Sequence, residues 1–251
     1  MEERLNKWLS RMGVCSRREA DRLIEAGKVL VDNRPASMGQ KVTPGQKVVC
    51  NGRMVRVDKS RKPRPVLLAV NKPRGIVCTT TDKDRAENIV DFLGYPERIY
   101  PVGRLDKDSE GLLLMTNQGD LVNKIMRSGN AHEKEYIVTI DKPVTERFLE
   151  QMAGGIRLPE LDQVTRPCKV KKVERNTFSI ILTQGLNRQI RRMCEVCGCQ
   201  VRRLVRVRIM NIRLGNLRTG AYRQITKEEY EELTGLLKDS SSLSLKERKN
   251  Q

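Results

Sequence analysis

A polar segment with two prolines, residues 58–65, divides this chain into two parts of different character. Proline fixes its own φ and disfavours helix in the residue before it, so the segment is typical of a connection between domains. The part before it is short and basic, and the longer part after it contains more apolar and β-branched runs. We therefore predict two domains rather than one continuous core.

The residues before the linker predict two short helices followed by short strands. Apolar side chains at helical spacing predict the first helix, and they belong to Leu5, Trp8, Leu9 and Met12. Ser16 and Glu19 stand at the spacing of a capping box, so a second helix is predicted from there to Gly27. Two apolar runs, at 28–32 and 47–50, then predict strands.

The charge of the chain predicts a polyanionic partner. The 251 residues include 49 Lys and Arg against 31 Asp and Glu, which gives a formal net charge of +18. Through residue 60 there are 13 basic and 7 acidic side chains. We predict that this N-terminal module contacts nucleic-acid phosphates through Lys7, Arg17, Arg18 and Arg22. A solvated charged face is the alternative, and the charge run by itself favours neither.

The composition argues against several classes of protein. No apolar run approaches the roughly 18 residues that a membrane span needs, and the N-terminus has no apolar signal segment, so we expect a cytoplasmic protein without a membrane partner. Seven cysteines, an odd number, fit a reducing compartment better than a disulfide scaffold. The single histidine, His132, argues against a His-based zinc site or a Ser-His-Asp triad. One Trp, five Tyr and three Phe are too few for base-stacking platforms, so phosphate contacts are expected to dominate.

Strand patterns outnumber helical ones after the linker. They occur at 66–70, 76–81, 99–102, 112–115, 136–140 and 205–209. Helical patterns occur near 86–93, 118–127, 145–153 and 188–197. Short connections between many of these elements predict an α+β fold, with a mixed and largely antiparallel sheet flanked by helices. After about residue 238 the chain is rich in Ser and Lys and poor in apolar residues, which predicts a disordered tail.

A polar loop bounded by glycines, Gly103–Gly111, is the first candidate for chemistry. It lies between two predicted strands and contains Asp106, with Arg104 and Lys107 beside it. A carboxylate on a rigid loop suits a nucleophile or a base, since nearby cations favour its ionised form. A solvated turn is the alternative, and the loop considered alone favours that alternative.

An arginine-rich segment is the second candidate. Asn187 is a favourable N-cap and predicts a helix that runs to Gly198. The first turns of that helix would hold Arg188, Arg191 and Arg192, although the helix dipole disfavours cations there. Such a conflict with a local rule is typical of functional positions, and the arginines would face RNA phosphates or a catalytic carboxylate. A tolerated surface cluster is the alternative.

The cysteines of the same segment could indicate metal or redox chemistry, because Cys194 and Cys197 have Cys-x-x-Cys spacing and Cys199 follows. However, these two cysteines share one apolar stripe at helical spacing with Ile190 and Met193. Buried free cysteine behaves as a small hydrophobic residue, so we predict core packing and no metal site.

Two alternating segments carry further candidates. Tyr136 begins the run 136–140 and is either a core aromatic, which is the usual case, or a residue that stacks on a substrate base. The pattern alone does not decide between them. Arg206 and Arg208 alternate with apolar residues, and together with Arg213 they are predicted to extend a basic surface.

Three separated segments, Gly103–Asp106, Lys134–Tyr136 and Gly185–Arg191, agree in order and spacing with those of a known family, and Asn71–Gly75 fits the same pattern. The chain resembles the RsuA-type ribosomal RNA pseudouridine synthases. The N-terminal module resembles the S4 RNA-binding domain (αL-like) of that family. Residues 88–92, 116–124 and 132–136 are most similar to the large-subunit branch known as type F. The resemblance covers about residues 4–235.

The resemblance implies an enzyme that isomerises uridine to pseudouridine at one site in ribosomal RNA, with a stem-loop of 23S RNA as the expected partner. It implies a catalytic Asp106, an Arg191 that pairs with it, and a Tyr136 that packs against the target base. The side chains expected to bind RNA near this site are Arg104, Asn187, Arg188 and Gln189. The base moves within one nucleotide, so no cofactor or metal is expected. The first step is either attack of Asp106 on C1′ or formation of a glycal after loss of a 2′ proton.

The predicted organisation is an S4 domain at 1–60, a linker at 61–65, a catalytic domain at 66–238 and a disordered tail at 239–251. We expect a monomer. Three alternatives stay open at this point. The first is a non-catalytic RNA-binding or ribosome-assembly protein of the same fold, and the second is an enzyme for small-subunit ribosomal RNA or transfer RNA. The third is a thiol- or metal-dependent enzyme built on Cys194 and Cys197.

Overall fold

The structure, a computed structural model, describes residues 2–55, 64–79 and 86–240, and it divides into two compact units. The first unit ends at Arg64 and the second begins at Pro65. Most of the predicted linker and most of the predicted tail lie outside the described residues. No helix among the described residues is long and apolar enough to cross a bilayer.

The first unit packs two helices against short strands. Its elements are β1 (Glu3–Arg4), α1 (Leu5–Arg11), α2 (Arg17–Glu25), β2 (Val29–Val31), β3 (Arg34–Pro35), β4 (Lys41–Val42), β5 (Val48–Cys50) and β6 (Arg53–Met54). Four of the strands form an antiparallel sheet in the order β3-β2-β5-β6. Ser16 caps α2 as predicted, because its hydroxyl accepts a hydrogen bond from the Glu19 N–H at 3.1 Å. Leu5 and Leu9 of the predicted stripe are buried in the core of this unit with Ile24 of α2.

The second unit is built around a large sheet. Its strands are β7 (Leu67–Lys72), β8 (Tyr100–Val102), β9 (Glu110–Thr116), β10 (Lys134–Ile140), β11 (Arg157–Leu158), β12 (Gln163–Val164), β13 (Lys169–Glu174), β14 (Thr177–Leu182), β15 (Val201–Ile209), β16 (Ile212–Arg213) and β17 (Tyr222–Gln224). Its helices are α3 (Ile89–Leu93), α4 (Gly119–Met126), α5 (Glu146–Gly154), α6 (Gln189–Val196) and α7 (Lys227–Leu236). The predicted α+β class is confirmed.

One parallel junction interrupts an otherwise antiparallel sheet. The strands follow the order β13-β14-β10-β15-β9-β7-β17, with β8 and β16 paired beside them. Only β9 and β15 pair in parallel among these strands, with Val205 opposite Glu110 and Arg206 opposite Gly111. We call this junction the seam. At Gly111 φ is +102°, and an added Cβ would lie 2.4 Å from the Arg206 carbonyl oxygen, so the close approach of the two strands requires glycine.

Alternation along β9 separates two of the three cores of the second unit. Leu112 and Leu114 pack with α4 and α7 on one face, whereas Leu113 and Met115 pack with α3 on the other. Because both faces are covered, β9 is apolar without a break over residues 112–115. On the other side of the seam, β10, β14 and β15 pack with α5 and α6 in a third core. Tyr136 contacts both this third core and the α3 core, so it lies where the two meet.

The predicted strand at 76–81 differs from the structure. Of the strand predicted at 76–81, residues 80 and 81 lie outside the described residues, and Val77 forms only an isolated bridge with Asn88. The chain turns into α3 there because the Asn88 side chain accepts hydrogen bonds from the N–H groups of Val90 and Asp91, both at 3.0 Å. The strand β13 was not predicted, because it lies at the edge of the sheet and most of its side chains are exposed and charged.

Candidate active site

Asp106 lies in the loop between β8 and β9, directly before the seam. Backbone hydrogen bonds fold this loop: the Ser109 N–H donates to the Asp106 carbonyl at 3.0 Å, and the Gly75 N–H donates to the Lys107 carbonyl at 2.8 Å. The Asp106 side chain is 39% exposed. The loop therefore holds a carboxylate in a defined position while leaving it accessible to a substrate.

Two buried cations hold the far end of the loop through its main chain. Lys72, at the end of β7, has no exposed surface, and its Nζ donates to the Ser109 carbonyl at 2.8 Å. Arg191, from α6, is 8% exposed, and its Nη2 donates to the Asp108 carbonyl at 3.1 Å. Hydrogen bonds from ionised donors are stronger than neutral ones, so these contacts fix the turn that follows Asp106.

A third buried cation, Arg206, joins the two ends of the loop across the seam. It is 1% exposed and stands on β15. Its Nε donates to the Leu112 carbonyl at 2.7 Å, and its Nη1 lies 3.4 Å from the Arg104 carbonyl. We call Lys72, Arg191 and Arg206 the cation cluster.

The cation cluster concentrates positive charge next to Asp106. Among the described residues, the buried charged side chains are these three and Lys134, and none of them is an anion. Burial lowers the pKa of Lys72 and of Arg191, and the negative charge of Asp106 acts in the opposite direction on both. Buried positive charge attracts an anion more strongly than the same charge does in water, because the dielectric constant is lower. The arrangement is suited to stabilising a reactive carboxylate.

The burial of Lys134, which lies outside the cation cluster, can be tested through the pH dependence of stability. Burial, followed by the charge of Arg206, lowers the pKa of Lys134 from 10.5 to about 8. Between these two values the unfolded protein binds more protons than the folded protein, so the free energy of unfolding should rise as the pH rises. Replacing Lys134 by Met is expected to remove this rise. Urea unfolding of both proteins at several pH values across the window measures it, and a parallel dependence in the two would contradict the lowered pKa.

Arg188 makes the carboxylate contacts of the site. Its Nη1 lies 3.6 Å from Asp108 Oδ2 and 4.0 Å from Asp106 Oδ2. The hydrogen bonds of Arg191 run instead to the Asp108 carbonyl and, at 3.4 Å, to the Ser109 hydroxyl. Arg191 thus braces the loop that carries Asp106, and the Asp106 charge acts on it electrostatically.

The predicted start of α6 at Asn187 is wrong. The helix begins at Gln189, and Arg188 occupies the N-cap position. The oxygen atoms of Asn187 are engaged elsewhere, since Arg192 donates to its carbonyl at 3.1 Å and to its Oδ1 at 3.2 Å. Gln189 was predicted to bind RNA, but it is buried and its Oε1 accepts a hydrogen bond from the Leu186 N–H at 3.1 Å. Its amide therefore closes the loop before the helix.

The predicted basic surface on β15 is wrong for two of its arginines. A β-bulge places Arg206 opposite Tyr136 and Arg208 opposite Glu135, so the two arginines face opposite sides of the sheet. Arg206 enters the interior, and Arg208 forms ion pairs with Glu135 at 2.8 Å and with Glu133 at 2.9 Å. Arg213 is exposed.

The other residues predicted to bind RNA lie at the surface. Arg104 is exposed in the loop of Asp106. In the first unit, Arg17, Arg18 and Arg22 are exposed on α2, and Lys7 is partly exposed with its Nζ 3.9 Å from Glu3. Arg22 also forms an ion pair with Glu19 at 3.2 Å.

Cys194 of α6 packs in the core, as predicted, and Cys197, directly after the helix, packs against the same core. Cys194 and Cys199 are buried, and burial raises the pKa of both thiols. Among the described residues, no group of three or more His, Cys, Asp and Glu side chains could hold a metal ion. His132 is engaged structurally, with its Nε2 2.8 Å from the Ser240 hydroxyl.

Comparisons with known proteins identify both units. A family model described as RNA pseudouridylate synthase matches residues 66–196, which is more than half of the chain, and the S4 domain model matches residues 3–48. The dual-specificity RNA pseudouridine synthase RluF of Escherichia coli K12 is 52% identical over 239 residues, which cover 95% of this chain and 81% of that protein. The ribosomal large subunit pseudouridine synthase B of Bacillus subtilis is 36% identical over 242 residues, which cover 93% and 96%.

A solved structure of a pseudouridylate synthase agrees with these matches. It superposes with a TM-score of 0.67 at 27% identity and covers 92% of this chain and 99% of its own. The resemblance to RsuA-type enzymes and to the S4 domain is thereby confirmed. The chain belongs to the RNA pseudouridylate synthase family and is an RNA pseudouridine synthase with an N-terminal S4 domain.

Proposed function

We propose that this enzyme converts a specific uridine to pseudouridine in the ribosomal RNA of the large subunit, within a stem-loop of 23S RNA. The relative from Bacillus subtilis is named for the large ribosomal subunit. The net charge of +18 and the S4 domain support a structured RNA as the substrate. The observation that carries the proposal is the accessible carboxylate of Asp106 in a loop held by three buried cations.

The reaction needs a fixed carboxylate and no external group. The bond between uracil N1 and C1′ breaks, a bond between C5 and C1′ forms, and the proton of C5 is exchanged for one on N1. Asp106 serves either as the nucleophile at C1′, forming an ester with the sugar, or as the base that removes the 2′ proton on a route through a glycal. Both routes depend on the position of the carboxylate, which the backbone hydrogen bonds of the loop supply.

Tyr136 and Arg191 complete the proposed catalytic residues. Tyr136 is partly buried between two cores and stands opposite Arg206 on the neighbouring strand, so its ring has a rigid support for packing against the target base. Arg191 holds the Asp106 loop in place. The uridine has to leave its base stack to reach the loop of Asp106, which costs a few kcal/mol. The cost is smallest when the uridine already lies in a single-stranded segment of the RNA.

Phosphate contacts would hold the RNA while one base is displaced. In the second unit we assign them to Arg104, Asn187 and Arg188, and in the S4 domain to Lys7, Arg17, Arg18 and Arg22. Gln189 is buried and is left out of this set. We further propose that the enzyme acts as a monomer in the cytoplasm.

Pseudouridine mapping tests the substrate. Total RNA from cells that lack this protein is incubated with the purified enzyme, and each pseudouridine gained is located by sequencing. One new site in 23S RNA is expected. New sites only in 16S RNA or in transfer RNA would refute the large-subunit assignment, and no new site in any RNA would refute the activity in favour of a non-catalytic RNA-binding role.

A further inference from the structure

Arg188 is held in a backbone conformation that disfavours it. Its φ and ψ are 48° and 33°, in the left-handed region. A side chain with a Cβ costs about 1–2 kcal/mol there, and glycine or asparagine is the usual occupant. Strained residues of this kind collect at functional sites, where the surrounding structure holds them for the sake of the side chain.

The side chain of Arg188 is shared by two aspartates. Its Nη1 contacts Oδ2 of Asp108 at 3.6 Å and Oδ2 of Asp106 at 4.0 Å. The two carboxylates are two residues apart in one turn and repel each other. The positive charge of a guanidinium near both offsets part of that repulsion and attracts both carboxylate groups.

Arg191 is already engaged with the main chain of the same turn. Its Nη2 donates to the Asp108 carbonyl, and the bulk of the side chain is buried. The two arginines of α6 therefore act on different parts of the loop. Arg191 fixes the backbone, and Arg188 contacts the carboxylate groups.

Building on the proposed function, we propose that Arg188 is a positioning residue for catalysis, with Asp108 as its anchor. Asp108 attracts the guanidinium at 3.6 Å, and the guanidinium attracts Oδ2 of Asp106 at 4.0 Å, which leaves Oδ1 for the sugar. The strained backbone at Arg188 places the origin of this side chain beside the loop. This role adds to the phosphate contact proposed for Arg188 above, which by itself would hold RNA without affecting the carboxylate.

Kinetics at saturating RNA separate the two roles. In Arg188→Asn the left-handed backbone is accepted and the guanidinium is lost, so the melting temperature should equal or exceed that of the wild type. The single-turnover rate should fall by about 10- to 100-fold, the scale of a small misplacement of a catalytic group. Arg188→Lys keeps the charge without the fork and should recover part of this loss.

A double-mutant cycle tests the anchor. Asp108→Asn should lower the same rate, and the double variant Asp108→Asn with Arg188→Asn should be no slower than Arg188→Asn alone. Arg147→Gln, which removes an exposed charge from α5, is the matched control and should react at the wild-type rate.

Two results would overturn the positioning role. One is an unchanged rate at saturating RNA in Arg188→Asn, with weaker binding and a shallower salt dependence, because a phosphate contact alone predicts that pattern. The other is additive effects in the cycle. Failure of the proposed function is distinguishable, since the wild-type enzyme itself would then form no pseudouridine.

Discussion

Purified enzyme with Asp106→Asn is expected to form no detectable pseudouridine in an RNA that the wild type modifies. Asparagine has almost the same shape but neither attacks C1′ nor removes a proton, so the rate should fall by at least about 10⁴-fold, the scale on which loss of a nucleophile acts. The loop should persist, because its hydrogen bonds use the main chain of residues 106–109. Single-turnover assays followed by mapping of the modified uridine measure the effect.

RNA binding by the same variant is the internal control. Removing one negative charge from a basic surface does not weaken the attraction for phosphates, so Asp106→Asn should bind the RNA at least as tightly as the wild type. The dependence of affinity on salt should have the same steep slope in both proteins. Asp162→Asn, at an exposed left-handed position outside the site, serves as the matched carboxylate control and should keep full activity. Wild-type rates in Asp106→Asn would remove this residue from the mechanism.

Replacing Gly111 by Ala is expected to destabilise the second unit by at least about 3 kcal/mol, which is large for a single substitution. The new Cβ would lie 2.4 Å from the carbonyl oxygen and 2.8 Å from the nitrogen of Arg206, and 2.9 Å from a methyl group of Val205. Two of these atoms belong to the backbone of β15, so relief requires the strands to separate. Because Arg206 holds the Asp106 loop, activity should be lost together with stability.

Gly75→Ala is the matched control for backbone conformation. Gly75 has φ of +91°, close to the +102° of Gly111, but no atom lies within 4 Å of the position of its Cβ. Its cost should therefore be that of the left-handed conformation alone, about 1–2 kcal/mol. Urea unfolding compares the two variants. An equal decrease in the free energy of unfolding of the two variants would mean that the strands at the seam separate at little cost. That result would contradict the close contact at Gly111.

Local chemistry made parts of the fold predictable from sequence. The hydroxyl of Ser16 and the stripe of Leu5 and Leu9 act within a few residues, and both elements form as predicted. The class of the catalytic unit also followed from short-range patterns. The position of Asp106 between two strands was predictable for the same reason, since an apolar run on each side defines a loop.

The cation cluster could not be predicted in this way because tertiary context creates it. Arg206 belongs to an alternating pattern that favours an exposed face, and one extra residue in β15 turns it inward. Lys72 has a weak signal, namely a cation at the end of a strand that is otherwise apolar. Asn187 is predicted to cap α6 because asparagine is a common N-cap residue. In the structure its side-chain oxygen accepts a hydrogen bond from Arg192 instead.

The seam also implies an order in which the site is completed as the chain is made. Lys72 and Asp106 belong to the half of the sheet formed by β7, β8, β9 and β17, whereas Tyr136, Arg191 and Arg206 belong to the other half. A nascent chain that has left the ribosome only as far as α6 contains Asp106 but lacks β15, which is the strand that joins the halves. Completion of the site therefore waits for Val201–Ile209, long after the S4 domain has been synthesised.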